Sequence, residues 1–167
     1  MMLIVCLLIF TGCIVCRVDV KQNDEVSLML RGPYTEEEIF ADYSDEEILA
    51  KFLDYSGGNF VEKQTIARIV IEYKYADGKN YPWNEILGED MHFDINYRYW
   101  ITVAEVDSDD LRIAKEAYEE FKENKNLTSY TDFYRISVIE ENSGYYELYI
   151  EGRNFKKMTH YYFVENE

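Results

Sequence analysis

The sequence predicts an α+β domain, with one antiparallel sheet carrying two helices on one face. Two segments, 44–53 and 107–121, place apolar residues at helical spacing behind N-cap signatures. Several others alternate apolar and polar residues with the period of a half-buried strand. The breaks between them fall at Gly, Pro, Asn and Asp. With 47% hydrophobic and 16% aromatic residues, sixteen of them tyrosine, the chain is not a disordered tail.

In chain order, Val26-Ser27-Leu28-Met29-Leu30 reads as a first strand, ended by Gly32-Pro33. Thr35 before Glu36, Glu37 and Glu38 resembles a helix start, and Ser44-Asp45-Glu46-Glu47 repeats the signal more strongly. Behind it Ile48, Leu49, Phe52 and Leu53 form an apolar stripe that Gly57-Gly58 terminates. From Ile66 to Tyr75 the period reads as two: Ala67, Ile69, Ile71, Tyr73 and Tyr75 share one side, Arg68, Glu72 and Lys74 the other. After a turn at Asp77-Gly78-Lys79-Asn80, a second alternating run sets Met91, Phe93, Ile95, Tyr97, Tyr99, Ile101 and Val103 opposite His92, Asp94, Asn96 and Arg98. The two runs are expected to pair as antiparallel strands.

Asp107-Ser108-Asp109-Asp110 caps a helix whose Leu111, Ala114, Tyr118 and Phe121 share a face. Tyr134-Ile136-Val138 then alternates, Asn142-Ser143-Gly144 reads as a hairpin turn, and Tyr146-Leu148-Ile150 returns. A last run, Phe155 to Val164, closes the sheet. The order strand, helix, strand, strand, helix, strand, with a C-terminal hairpin extension, is the split βαβ arrangement called ferredoxin-like. Two other arrangements suit the same elements: a cystatin-like sheet wrapped on one helix, and a duplicated αββ unit. The second follows because Ser44-Asp45-Glu46 and Lys51 stand 64 residues before Ser108-Asp109-Asp110 and Lys115.

The first sixteen residues, Met1 to Cys16, contain no charged side chain and no proline, and Arg17, Asp19 and Lys21 follow at once. That is the pattern of an export segment. Within it Leu8-Ile9-Phe10-Thr11-Gly12-Cys13 resembles the lipobox of bacterial lipoproteins, with Thr11, Gly12 and Cys13 matching and Phe10 standing where Leu is usual. The resemblance implies a signal peptide over residues 1–12 and diacylation of Cys13 with palmitate-type chains. It further implies a lipidated tether over residues 13–25 and a single acidic α+β domain over residues 26–167, held on the extracytoplasmic face of a cell membrane. Two acyl chains hold a protein stably where one does so only marginally. Two other readings stay open. A signal anchor would need about 20 apolar residues to span, with Arg17 and Lys21 holding the domain on the cytoplasmic side. An ordinary secretory peptide cleaved near Cys13 would release the domain and make Asn126-Leu127-Thr128 a formal glycosylation sequon.

All three cysteines, Cys6, Cys13 and Cys16, lie in the leader. The domain therefore stands on its core without disulfides, which suits a bacterial envelope protein, and it has no thiol for a nucleophile or a zinc-thiolate site. The net charge of −16 resides entirely beyond the leader. It argues against nucleic acid as a partner, since Lys and Arg must neutralise phosphates, and it confers solubility by self-repulsion.

Few residues suggest chemistry. His92 and Asp94, two apart on one strand, project together with Cβ atoms about 7 Å apart and could share a metal ion, with His160 joining only if its strand were a neighbour. Against that stands an ordinary solvated strand face with cross-strand ion pairs. The Asp107, Asp109, Asp110 cluster lacks the later ligands of a calcium loop and reads as helix capping. Tyr81 and Trp83, straddling Pro82, could offer rigid aromatic area to a carbohydrate or protein ligand, or Trp83 could fold back over an end of the core. Tyr145 and Tyr149 on the last hairpin are open to the same two readings. No phosphate loop, G-x-S-x-G elbow, H-E-x-x-H or G-x-G-x-x-G occurs, so no cofactor is expected. The expectation is a membrane-tethered domain with a non-catalytic binding or accessory role. The alternatives are a secreted metal-assisted hydrolase and an inhibitory protein that binds a basic partner.

Overall fold

The computed structural model describes residues 40–88, 93–94, 105–141 and 143–166. They belong to one unit, Glu36–Glu167. Cys13, Cys16, the expected strand at 26–30, the helix start at Thr35 and His92 lie outside the described residues.

Helix α1 (Asp45–Ser56) starts where the capping signature places it. The Ser44 side chain accepts from the Glu47 amide at 3.2 Å while the Glu47 carboxylate accepts from the Ser44 amide at 2.8 Å. The predicted stripe is its buried face, and Gly57, at φ 68°, ends it in the left-handed conformation.

The next element corrects the sequence reading. Ile66 to Tyr75 is not a strand but most of helix α2 (Phe60–Lys74). Its apolar residues are dense enough to satisfy either period: Ile66, Ala67, Ile69, Val70 and Ile71 are all buried, on a broad face that only a helix packed by several neighbours can cover. The start signal was present in Asn59-x-x-Glu62, a capping box in which each side chain accepts the other residue's amide, at 3.1 Å and 2.8 Å. A single turn, α3 (Trp83–Ile86), leads into β1 (Leu87–Gly88), which pairs in parallel with β2 (Phe93–Asp94). The antiparallel pairing expected between the runs at 66–75 and 91–103 is thus absent. The remainder of the second run lies outside the described residues.

Helix α4 (Ser108–Glu123) agrees with its prediction. The Asp107 carboxylate accepts from the amides of Asp109 and Asp110 at 2.8 and 3.1 Å. Asp107→Ala removes that acceptor and is expected to cost about 1 kcal/mol, read by denaturant unfolding. The helix packs on both α1 and α2 through Ile113, Ala114, Ala117, Tyr118 and Phe121, so the three form one helical layer. Arg68 of α2 binds Glu120 of α4 bidentately, at 2.8 and 3.0 Å.

Strand β3 (Tyr130–Arg135) stops earlier than alternation suggested. Ile136-Ser137-Val138 begins helix α5 (Ile136–Glu141), and the predicted hairpin turn and return strand are occupied by helix α6 (Ser143–Tyr149). Tyr145 and Tyr149, four apart, meet edge to face, and Tyr149 stacks on Tyr134 of β3 with centroids 5.0 Å apart. The last run divides into β4 (Phe155–Lys157) and β5 (Tyr161–Glu165), giving a three-stranded antiparallel sheet of order β3-β5-β4.

Central β5 is buried from Tyr161 to Val164. Tyr161 and Phe163 join the core of the helical layer, whereas Tyr162 and Val164 join a second cluster with Ile139 and Ile150. A register irregularity between Tyr130 and Asp132 lets Tyr130 and Phe133, three apart, reach the same main core. The class is therefore α+β with helices on both sheet faces rather than on one. The strand-helix-strand-strand-helix-strand order does not describe these residues, because helix α2 covers the strand expected over 66–75, and helices α5 and α6 cover most of the hairpin expected from Ile136 to Ile150.

Candidate functional site

The ends of α2 and α4 and the loops that leave them bring polar and aromatic side chains together beside a cleft. Lys74, in the last turn of α2, is only 3% exposed. Its ammonium donates to the Tyr81 carbonyl at 3.0 Å, stands 3.7 Å from the Asp45 carboxylate and lies over the Trp83 ring, 4.6 Å from its centroid. Burial pulls the Lys74 pKa down, and Asp45 opposes that pull. Asp45 also accepts from Trp83 Nε1 at 2.7 Å.

Trp83 is therefore 5% exposed, its one donor and one face already taken. Of the two sequence readings, the platform for a ligand is corrected at this residue: the ring closes an end of the core. Packing a buried ammonium between an indole face and a carboxylate holds the loop 79–83 against α2. Tyr81 is half-buried, with Lys79 Nζ over its ring at 5.5 Å.

Beside this cluster opens a cleft of about 540 Å³. Tyr75 is its shared wall. The Tyr75 ring stacks on Phe121 of α4 with centroids 5.0 Å apart and planes at 25°, while its hydroxyl lies 3.5 Å from Asp45. Burial, then Asp45, push its pKa up. Behind it Tyr118 is buried, meets the Tyr75 ring edge to face and has a hydroxyl with no hydrogen-bond partner among the described residues, and its pKa is driven far up by burial. The rim is formed by Asp77, Gly78 and Lys79 on one side and by Lys125 and Asn126 on the other. Asp77 (φ 55°) and Gly78 (φ 72°) are both left-handed, which turns the chain tightly out of α2. Lys125 Nζ sits over the Phe121 ring, 4.2 Å from its centroid. At the floor the Glu72 carboxylate accepts from the amides of Leu127 and Thr128.

The other predicted site residues are dispersed. Asp94 lies in β2, and His160 lies in the turn between β4 and β5, where its ring Nδ1 faces the Glu62 carboxylate at 2.8 Å. No group of three or more His, Cys, Asp or Glu side chains that could hold a metal ion occurs among the described residues. Tyr145 is exposed, and Tyr149 is half-buried in its stack with Tyr134. The cleft was missed because its walls come from segments about 45 residues apart, although the Asp77-Gly78 turn that shapes its rim was legible.

Comparisons of the chain with family models, with curated proteins and with solved structures found no match.

Proposed function

We propose that the protein is a lipid-anchored extracytoplasmic domain that binds a ligand or partner without transforming it. The observation that carries the proposal is the leader: an uncharged apolar segment ending in Thr11-Gly12-Cys13, followed by a domain free of cysteine. Diacylated Cys13 would hold the domain at the membrane, and the tether of residues 13–25 would space it from the surface. The domain's net charge of −16 favours a cationic partner over an anionic one. A cleft with aromatic walls and a few polar groups is the usual form of a binding site.

Cys13→Ala, and globomycin treatment of the parent chain, are each expected to shift the protein from the membrane fraction to the soluble one. Firm membrane attachment that survives both would overturn acylation at Cys13.

A further inference from the structure

We infer that the cleft between the ends of α2 and α4 takes an organic cation, a guanidinium or alkylammonium group, and that Lys125 fills its place in the free protein. The inference deepens the binding role proposed above by naming the ligand's chemistry.

Both helices present their C-terminal ends to the cleft, and a helix C-terminus carries partial negative charge. The Asp77 carboxylate stands at the rim and makes no hydrogen bond or ion pair among the described residues. The stacked pair Tyr75 and Phe121 supplies the electron-rich faces that attract cations. The outer faces of both rings carry a resident ammonium: buried Lys74 lies 5.6 Å from the Tyr75 centroid, and exposed Lys125 rides on Phe121 at 4.2 Å, so the exchangeable place is the one that Lys125 fills. An intramolecular ammonium in that position shows the kind of group the face accepts. Lys125 is on an exposed loop beyond α4, so it can swing away when a competing cation arrives. The long-range field of the chain, with thirty-three acidic against seventeen basic residues, concentrates cations near it. Among the described residues an anion would meet Lys79 and Lys125 at the lining and Lys74 behind Tyr75, against that field and against two helix termini of the wrong sign.

Titration calorimetry on the full chain in nonionic detergent tests this, with spermidine and an end-blocked Arg-Gly-Arg peptide as cationic probes and inorganic phosphate as the opposite one. Binding of either cation is expected. The peptide alone would identify a protein side chain as the source, spermidine alone a free polyamine. Lys125→Ala removes the resident cation and should tighten binding by about fivefold. Asp77→Asn, whose side chain tolerates the left-handed backbone, should weaken it by about threefold. Glu151→Gln, an exposed acid outside the cleft, should leave it unchanged. Equal weakening by Asp77→Asn and Glu151→Gln would reduce the effect to the diffuse charge of the chain and overturn the inference. Phosphate binding that Lys125→Ala abolishes, or no heat with either cation, would overturn it too. Fractionation of Cys13→Ala reads the tether and calorimetry reads the cleft, so the two can fail separately.

Discussion

Glu62→Gln is expected to lower the unfolding free energy by about 3 kcal/mol, a melting shift on the order of 10 °C. The Glu62 side chain is 0% exposed. Its carboxylate accepts from the Asn59 amide at 2.8 Å, from the His160 amide at 2.6 Å and from the His160 ring Nδ1 at 2.8 Å. One side chain thus caps α2 and fixes the turn between β4 and β5 to the helical layer. A carboxylate accepts at both oxygens, whereas glutamine presents an NH2 to one set of N–H donors and leaves a buried donor unpaired. Gly58, at φ 96°, completes the fit: a Cβ there would stand 3.1 Å from Glu62 Oε2 and 3.3 Å from the Tyr161 ring.

The same carboxylate sets a pH dependence. Burial by itself pushes the Glu62 pKa up, but the amides of Asn59 and His160 and the His160 ring together outweigh it, so the pKa falls below its ordinary value of 4.5. A depressed folded value means stability that is fully present above the unfolded value and is lost as pH falls through the folded one. Unfolding curves from pH 7 to pH 3 should show the parent losing stability on the acid side faster than Glu62→Gln. Parallel pH curves for the two proteins would show that Glu62 is not the group responsible.

Lys63→Met is the second large effect, about 3–5 kcal/mol at neutral pH. Lys63 Nζ binds both oxygens of Asp110, at 2.8 and 2.7 Å, and the Asp110 side chain is 2% exposed. Removing the lysine leaves a buried carboxylate with no counter-ion among the described residues. Burial already raises the Asp110 pKa above 3.8, with Lys63 opposing the rise. A raised folded value gives stability that is fully present below the unfolded pKa and declines as pH rises through the folded one. Without Lys63 the folded value climbs further, so the variant should regain part of its loss between pH 7 and pH 5 as Asp110 takes up a proton. The double variant Lys63→Met/Asp110→Leu should recover most of the deficit at pH 7, because no charge is left stranded. A double variant no more stable than the single one would mean that Asp110 is not what destabilises it.

Where local signals were complete, the sequence was legible. Ser44 and Asp107 announced α1 and α4, because caps act within one turn and each was followed by a single apolar stripe. The α2 segment defeated periodicity because its buried face is too broad to show one period, and its true start, Asn59-x-x-Glu62, lay ahead of the window that looked like a strand. Residues 136–149 misled for a different reason: isoleucine and tyrosine favour strands intrinsically, yet here they cover the second face of the sheet as two short helices. The site was legible only in part. Trp83 proved to be core, as one of its two readings held, while Asp45 and Lys74, which receive it, stand in different helices and carry no mark of their partnership.

The strand order gives β5 an unusual weight. Strands β3 and β4 do not bond to each other; both bond to β5, which follows them in the chain. Synthesis from the N-terminus therefore cannot pair β3 or β4 in this sheet before β5 has emerged, and loss of Tyr161–Glu165 would unzip two ladders at once. Until Tyr161–Glu165 emerges, β3 and β4 have no ladder to join among the described residues, so one five-residue strand decides when this sheet closes.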